Sequence, residues 1–168
     1  MNRIARFEKV SFAQFEKDCV STFGKIDNLL EVYENIQLPK RATKGSAGHD
    51  FFAPITITLN PKESVKIPTG IRVFIEDGWV LQNYPRSSLG FKYRVQLDNT
   101  VGIIDSDYYY SSNEGHIFVK LTNDNNEQKV VTIKQGEGFV QGIFLQYGIT
   151  YDDDVKDIRD GGFGSTNK

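Results

Sequence analysis

Hydrophobic and polar residues alternate through the middle of the chain, from Phe51 onward. Ile55, Ile57 and Leu59 are separated by single residues and begin this pattern. Similar short runs, punctuated by Gly, Pro, Asn and Asp, recur at Ser64–Ile67, Ile71–Ile75, Trp79–Tyr84, Arg94–Leu97, Val101–Ile104, His116–Leu121, Val130–Ile133 and Gly138–Gln146. Many short strands at this spacing predict an all-β barrel or jelly roll.

The N-terminal part of the chain has helical periodicity instead. Residues 11–36 place apolar side chains three and four positions apart. Ser11 followed by Gln14 forms a capping-box pattern at the start, and Gly24 ends the first helix. A second short helix is predicted to end before Pro39.

Three regions follow from these patterns. We expect a helical N-terminal extension over residues 1–38 and a β-barrel over residues 39–150. Residues 151–168 contain three successive aspartates and the run GGFGST, which is too polar and glycine-rich to pack. We therefore expect this last region to be a flexible C-terminal arm.

Composition narrows the class of protein. The length of 168 residues suits one domain, and the net charge of −2 without a basic run argues against nucleic-acid binding. No apolar stretch approaches a membrane span, and an apolar signal-peptide region is absent, so we expect a cytoplasmic protein. Cys19 is the single cysteine, which excludes an internal disulfide, and His49 and His116 are too few for a histidine-rich zinc site.

The segment LDNTVGIIDSDY, residues 97–108, carries the most informative candidate chemistry. Gly102 interrupts an apolar strand, which often marks a close approach to the backbone. Asp105 ends that strand, where a carboxylate is costly to desolvate unless it is paired or used, and Tyr108 follows. The pattern indicates a slot for a flat ligand. On its own, Asp105 is either a turn residue or a general base.

A second candidate, PRSSLGFK at residues 85–92, directly follows a hydrophobic strand. Arg86 offers a fork of donors suited to phosphate oxygens, and Ser87 and Ser88 add hydroxyl and backbone N–H groups. The alternative is an ordinary helix N-terminus.

Three further segments are weaker signals when taken singly. GSAGHD, residues 45–50, is either a turn or a lead into a functional aspartate. In GEGFVQGIF, residues 136–144, Gln141 is either a buried polar group that needs partners or an outward-facing one. GGFGST, residues 161–166, lacks the Walker pattern, and its Phe163 either stacks on a base or belongs to a linker.

The order of these five segments resembles that of the trimeric dUTP pyrophosphatase (dUTPase) family over residues 39–168. The resemblance implies a jelly-roll-like β-barrel that forms a homotrimer, with active sites at subunit junctions. It further implies hydrolysis of dUTP to dUMP and pyrophosphate with Mg²⁺. This reaction keeps uracil out of DNA and supplies dUMP for dTMP synthesis. The C-terminal arm would close over a neighbour's site.

The same resemblance assigns the catalytic and nucleoside-binding roles. Asp105 would activate the attacking water and bind the sugar 3′-hydroxyl, and Gln141 would help to hold the water or a phosphate. Tyr108 would pack under the deoxyribose and exclude a 2′-hydroxyl. A hairpin would read the uracil edge through Asn99, Val101, Gly102 and Ile103.

The remaining implied roles concern the phosphates, the metal and the arm. Asp50 would orient Mg²⁺ through water. Phe163 would stack on the uracil. The other residues expected to bind substrate are Arg86, Ser87, Ser88, Arg159, Gly164 and Ser165.

The chain departs from the family pattern at several points. An arginine near Gly138 is missing, and Arg159 lies four rather than five residues before Phe163. The turn Tyr109–Gly115 is longer than usual. Two alternatives remain at this stage. One is a dCTP deaminase-type relative, for which Glu114 is the nearest candidate acid, and the other is a trimeric β-barrel that binds a protein partner through its N-terminal extension.

Overall fold

Short β-strands form most of the fold. The computed structural model describes residues 2–157 and Arg159, and this part of the chain contains twelve strands, three α-helices and one 3₁₀ helix. The strands are β1 (Ala5–Lys9), β2 (Lys40–Arg41), β3 (His49–Phe52), β4 (Ile57–Leu59), β5 (Ser64–Pro68), β6 (Ile71–Ile75), β7 (Trp79–Pro85), β8 (Val95–Leu97), β9 (Gly102–Ile104), β10 (Phe118–Asn123), β11 (Val131–Ile133) and β12 (Gly138–Gln146). The helices are α1 (Phe12–Phe23), α2 (Leu29–Glu34), α3 (Ser87–Tyr93) and the 3₁₀ helix Ser106–Tyr110. Within the described ranges, none of these helices is long and apolar enough to span a membrane.

The leader, defined here as residues 2–38, contains a strand as well as helices. Residues 5–9, predicted as part of a helical extension, form β1 and pair antiparallel with β6. In α1 the Ser11 hydroxyl accepts a hydrogen bond from the backbone N–H of Gln14 (3.2 Å), as the capping pattern predicts. Gly24 ends this helix with a φ of 75°, a conformation that glycine adopts without strain.

The leader packs its apolar side chains against the body of the fold. Phe15 and Cys19 on α1 are buried in the main hydrophobic core, as is Leu29 on α2. From β1, the ring of Phe7 meets the ring of Phe51 edge-on at a centroid distance of 5.6 Å. These contacts bury several of the apolar side chains that a partner-binding leader would present, although Val20, Leu30 and Leu38 remain about half-exposed.

One five-stranded antiparallel sheet positions most of the candidate residues. Its strand order is β2-β3-β12-β7-β9. The register places Gln141 of β12 opposite Asp50 on one side and Tyr84 on the other. Residues far apart in sequence are therefore neighbours across the strands.

The segment between β8 and β9 crosses from one sheet to another. β8 pairs with β10 in the sheet β5-β10-β8, whereas β9 pairs with β7. The prediction that Asn99–Ile103 belongs to a hairpin is therefore wrong. The apolar residues of the two strands face the same core, but their backbones choose different hydrogen-bonding partners.

Candidate active site

The five-stranded sheet brings three of the candidate segments to one concave surface. We call this surface the Arg86 pocket, a cavity of about 560 Å³. Its lining residues are Ala42, Ser46, Ala47, Gly48, Asp50, Arg86, Ser87, Ser88, Gln141 and Ile143. The segments GSAGHD, PRSSLGFK and GEGFVQGIF thus meet in space, and the pocket combines a guanidinium, hydroxyls, a carboxylate and an amide.

Local structure aims Arg86 and the serines into this pocket. β7 ends at Pro85, and Arg86 has extended backbone angles just before α3 begins. The backbone N–H of Arg86 donates to the carbonyl of Phe139 (3.2 Å), which fixes the start of α3 against β12. Ser87 and Ser88 lie in the first helical turn, where N–H groups lack acceptors within the helix. Both serines are exposed and face the space beside Arg86.

Two glycines keep the pocket open. A Cβ atom at Gly138 would lie 2.8 Å from Nη1 of Arg86, and a Cβ atom at Gly48 would lie 2.8 Å from Oε1 of Gln141. Side chains at either position would therefore displace a group that lines the pocket. Only glycine fits at residue 138 without displacing the Arg86 guanidinium.

The polar groups of the pocket are only partly paired. Nε of Arg86 lies 3.4 Å from Oδ1 of Asp50, a long ion pair with one side chain substantially exposed. Nε2 of Gln141 donates to the carbonyl of Pro85 (3.3 Å). Nη1 of Arg86 also donates a long hydrogen bond to the carbonyl of Gly138 (3.4 Å), and the remaining N–H groups of the guanidinium are available for an anion.

A second group of candidate residues lies on the segment 105–108, which we call the Asp105 turn. Asp105 immediately precedes the 3₁₀ helix, and half of its side chain is exposed. Its carboxylate accepts a hydrogen bond from Nη2 of Arg159 (2.6 Å), while Asp107 accepts one from Nε of the same guanidinium (2.8 Å). Asp107 was not among the candidates from the sequence. Its spacing of two residues from Asp105 is the signal that could have identified it.

Tyr108 is buried, and hydrogen bonds hold its hydroxyl in place. Its hydroxyl donates to the backbone carbonyl of His116 (2.7 Å) and accepts from Nδ2 of Asn113 (2.9 Å). Burial raises the pKa of this hydroxyl above its ordinary value. The Arg159 guanidinium lies 5.7 Å from the ring centroid, so the ring would meet a sugar only where Arg159 leaves room. The contact with deoxyribose stays a prediction.

The segment before the Asp105 turn combines exposed and buried groups. Asn99 and Ile103 are exposed, Val101 is half-buried, and Gly102 is buried. A Cβ atom at Gly102 would lie 3.2 Å from the Cβ atom of Asn83, so the close approach that the glycine permits is that of a neighbouring strand. Asn83 is 2% exposed, and its Oδ1 has no hydrogen-bond partner. Asn83, which the sequence analysis missed, joins this segment to β12.

Within one chain the Arg86 pocket and the Asp105 turn lie at opposite ends of β7. Ile104 pairs with Leu81 near the start of β7, and Arg86 follows its end. The five residue-to-residue steps from Leu81 to Arg86 correspond to about 17 Å of strand. A single chain therefore holds two separate groups of candidate residues, which we call its two half-sites.

Three expected contacts of the arm, those of Phe163, Gly164 and Ser165, lie outside the described residues. Glu114, the acid on which the deaminase alternative depends, accepts hydrogen bonds from the backbone N–H and hydroxyl of Ser11 (2.7 and 2.6 Å). Burial alone would raise the pKa of Glu114. The hydrogen bonds from Ser11 outweigh this effect, and the pKa lies below its ordinary value. Glu114 thus has a structural partner.

A metal would find a single carboxylate in the Arg86 pocket. Across residues 2–157 and Arg159, no group of three or more His, Cys, Asp or Glu side chains is arranged to hold a metal ion. Mg²⁺ is commonly held by one or two carboxylates together with substrate phosphates. The donor set, the Asp50 carboxylate beside the Arg86 guanidinium, fits that mode of binding.

Comparisons with known proteins agree on one family. The family model for dUTPase matches residues 34–167. The deoxyuridine 5′-triphosphate nucleotidohydrolase of Lactococcus lactis subsp. lactis (strain IL1403) is 43% identical over 139 residues, which cover 80% of this chain and 91% of the relative. A dUTPase crystal structure from Streptococcus mutans has a TM-score of 0.63 at 32% identity, over 86% of this chain and 97% of that one.

A more distant structure shares the fold. A mutant dUTPase from phage phi11 of S. aureus, in which a structural Mg(II) ion is coordinated, has a TM-score of 0.64 at 19% identity. The match covers 92% of this chain and 98% of the phage chain. The jelly-roll-like β fold predicted from the alternation pattern is confirmed by these similarities. From the family match and the identity over most of its length, this chain belongs to the dUTPase family.

Proposed function

We propose that this chain hydrolyses dUTP to dUMP and pyrophosphate. The observation that carries the proposal is the meeting of Asp50, Arg86 and Gln141 in one pocket of a chain that belongs to the dUTPase family. The pocket offers the donors that a triphosphate requires. The reaction needs no covalent nucleophile, since a water can attack the α-phosphorus and pyrophosphate can leave.

In this mechanism the Arg86 pocket binds the phosphates. The guanidinium fork of Arg86 would pair with phosphate oxygens, and Ser87 and Ser88 would donate from hydroxyl and backbone groups. Asp50 would hold Mg²⁺ through water, and the bound ion would offset the triphosphate charge and fix its geometry. Much of the rate enhancement would come from positioning and charge stabilisation.

The Asp105 turn supplies the general base. The Asp105 carboxylate is half-exposed and would take a proton from the attacking water once Arg159 moves to the substrate. Gln141 would help to hold that water or a phosphate. Asn99, Val101, Gly102 and Ile103 would read the uracil edge, and Tyr108 would lie against deoxyribose. A site built on such hydrogen bonds can reject analogues strongly.

The two half-sites favour an assembly in which neighbouring chains complete each other. The Arg86 pocket and the Asp105 turn lie about 17 Å apart along β7, so we propose a homotrimer with active sites at subunit junctions. Phe163, Gly164 and Ser165 would then close over the site of a neighbour.

A substrate panel tests the activity. Pyrophosphate release is measured from dUTP, dTTP, dCTP and UTP in the presence of Mg²⁺. We expect a strong preference for dUTP, and equal rates on all four nucleotides would refute the proposal. Ammonia release from dCTP would instead support a deaminase.

A complementation experiment tests the shared sites. Asp105→Asn and Arg86→Ala oligomers are each expected to be nearly inactive. After the two variants are mixed, unfolded and refolded together, about a quarter of the junctions would combine two intact half-sites and recover activity. Recovery to that level supports junction sites. No recovery, with mixed oligomers verified by mass, would place each whole site within one chain.

A further inference from the structure

The leader and the unusually long turn after Tyr108 are bound to each other. We call residues 109–116 the long turn. The Tyr109 hydroxyl donates to the Glu8 carboxylate of β1 (2.7 Å). Further along, Glu114 accepts from both the backbone N–H and the hydroxyl of Ser11, the residue that caps α1. The two carboxylates, Glu8 in the leader and Glu114 in the long turn, thus tie these segments together.

A third contact between them, from His116 to Asp18, is partly buried. His116 is fully buried, and its Nε2 accepts a hydrogen bond from the backbone N–H of Gly70 (2.8 Å). Since that N–H can only donate, Nε2 carries no proton and the neutral ring carries its proton on Nδ1. Nδ1 then donates to Asp18 of α1 (2.5 Å), which also accepts from Nε2 of Gln14 (2.8 Å).

The long turn in turn holds the Asp105 turn. The carbonyl of His116 accepts from the Tyr108 hydroxyl, and Asn113 donates to that same hydroxyl. Hydrogen bonds therefore run from Asp18 through His116 to Tyr108, three residues after Asp105. The leader residues in the three contacts with the long turn are Glu8, Ser11 and Asp18. All three precede residue 34, where the family match begins.

We propose that the leader is a positioning element of the active site, in which Asp18 and His116 act through Tyr108. They would fix the depth of the Tyr108 ring, and with it the fit of a 2′-deoxy sugar. The inference rests on the proposed dUTP hydrolysis. Asp18 and His116 touch no substrate, so their role would be to hold the residue that discriminates dUTP from UTP.

The test measures kcat/KM for dUTP and for UTP in point variants of the full chain. Asp18→Ala leaves the buried Nδ1–H of His116 without an acceptor. We expect the dUTP-to-UTP ratio of kcat/KM to fall by about tenfold, mainly through faster UTP turnover relative to dUTP. Asp18→Asn should restore the ratio to within about twofold, because its amide oxygen can accept both hydrogen bonds that Asp18 accepts.

Glu63→Ala is the matched control. Glu63 accepts from the backbone N–H of Asn60 at 2.7 Å, the same length as the bond from Ser11 to Glu114, but it lies in the turn between β4 and β5. Its dUTP-to-UTP ratio should equal that of the wild type. Should Asp18→Ala not fold, Glu114→Ala tests the solvent-exposed contact and should lower the ratio by about threefold.

The outcomes separate the two proposals. A wild-type chain without preference for dUTP would refute the proposed function itself. A wild-type chain that prefers dUTP, together with folded Asp18→Ala and Glu114→Ala variants of unchanged ratio, would refute only the role of the leader. A ratio lowered equally by Glu63→Ala would also refute it, because general destabilisation would then explain the effect.

Discussion

The Arg86 pocket and the Asp105 turn are built in different ways. The pocket lies where strands in register bring Asp50 and Gln141 together, and glycines leave the space that Arg86 occupies. The Asp105 turn depends on buried and partly buried side-chain hydrogen bonds that reach back to the leader. Backbone pairing therefore shapes one half-site and side-chain packing shapes the other. Substitutions in the Arg86 pocket should therefore lower substrate affinity. Substitutions around the Asp105 turn should instead lower the catalytic rate and the selectivity for the sugar.

The largest expected effect is that of Asp105→Asn. Loss of the general base should lower kcat for dUTP by about 10²–10⁴, since a positioned base contributes that much to such reactions. Binding of dUTP, measured by calorimetry, should change little because the Arg86 pocket is intact. Near-normal turnover would remove Asp105 as the base.

Gly138→Ala should produce the opposite pattern. The added methyl would lie 2.8 Å from Nη1 of Arg86, the mobile end of a long side chain, so the guanidinium should move while the fold stays intact. We expect KM for dUTP to rise by about tenfold, equivalent to about 1.4 kcal/mol of binding, with kcat nearly unchanged. Gly45→Ala is the matched control, since nothing lies within 4 Å of a Cβ atom there. A shift in kcat rather than KM would contradict this division of roles.

Acid should lower the free energy of unfolding more through His116, next to the Asp105 turn, than through His49, beside the Arg86 pocket. Burial lowers the pKa of His116, with partial compensation by Asp18, and burial also lowers the pKa of His49 beside the pocket. Below the unfolded value of about 6.5, the unfolded chain binds a proton that the folded histidine does not. The free energy of unfolding should then fall as pH drops, by at most about 1.4 kcal/mol per pH unit for each group, until the folded pKa is reached.

Thermal unfolding at pH 7.5 and pH 5.5 measures this loss. The wild-type Tm should drop between pH 7.5 and pH 5.5. His116→Gln should reduce this drop more than His49→Gln does, because His116 is fully buried and His49 is only partly buried. An equal decrease in Tm for the wild type and His116→Gln would place the acid sensitivity elsewhere.

The smallest expected effect is that of Asp107→Asn. Asp107 shares Arg159 with Asp105 and is equally exposed, and exposed ion pairs contribute at most about 1 kcal/mol. Turnover of dUTP should therefore stay within about threefold of the wild type. A loss as large as that of Asp105→Asn would mean that the two carboxylates act together.

The sequence predicted most of the strands but not all of their partners. β6 and β12 both have the bounds that the alternation pattern indicates. β6 buries every second residue, whereas β12 buries the adjacent Phe139 and Val140 where its register with β3 shifts. β1 was missed because ARFEK contains three charged residues, and only the edge of β6 makes it a strand. The hairpin prediction failed for a related reason, since the choice of partner for β8 and β9 depends on distant strands.

The candidate site was predicted in the same uneven way. The order of the segments indicated that Asp50, Arg86 and Gln141 share a site, and they line one pocket, while their chemical roles stay predictions. The pairing of Arg159 with Asp105 and that of Asp18 with His116 were not predicted. These pairs are separated by 54 and 98 residues, and no local pattern reports such contacts.

Cys19, the chain's single cysteine, lies on the buried face of α1 and is 2% exposed. Burial, together with the charge of Asp18, raises the pKa of its thiol to about 12. Because the thiolate is the reactive form, a thiol reagent at neutral pH should modify Cys19 only when α1 lifts from the core. The rate of labelling would then report how often the leader opens, without any engineered probe.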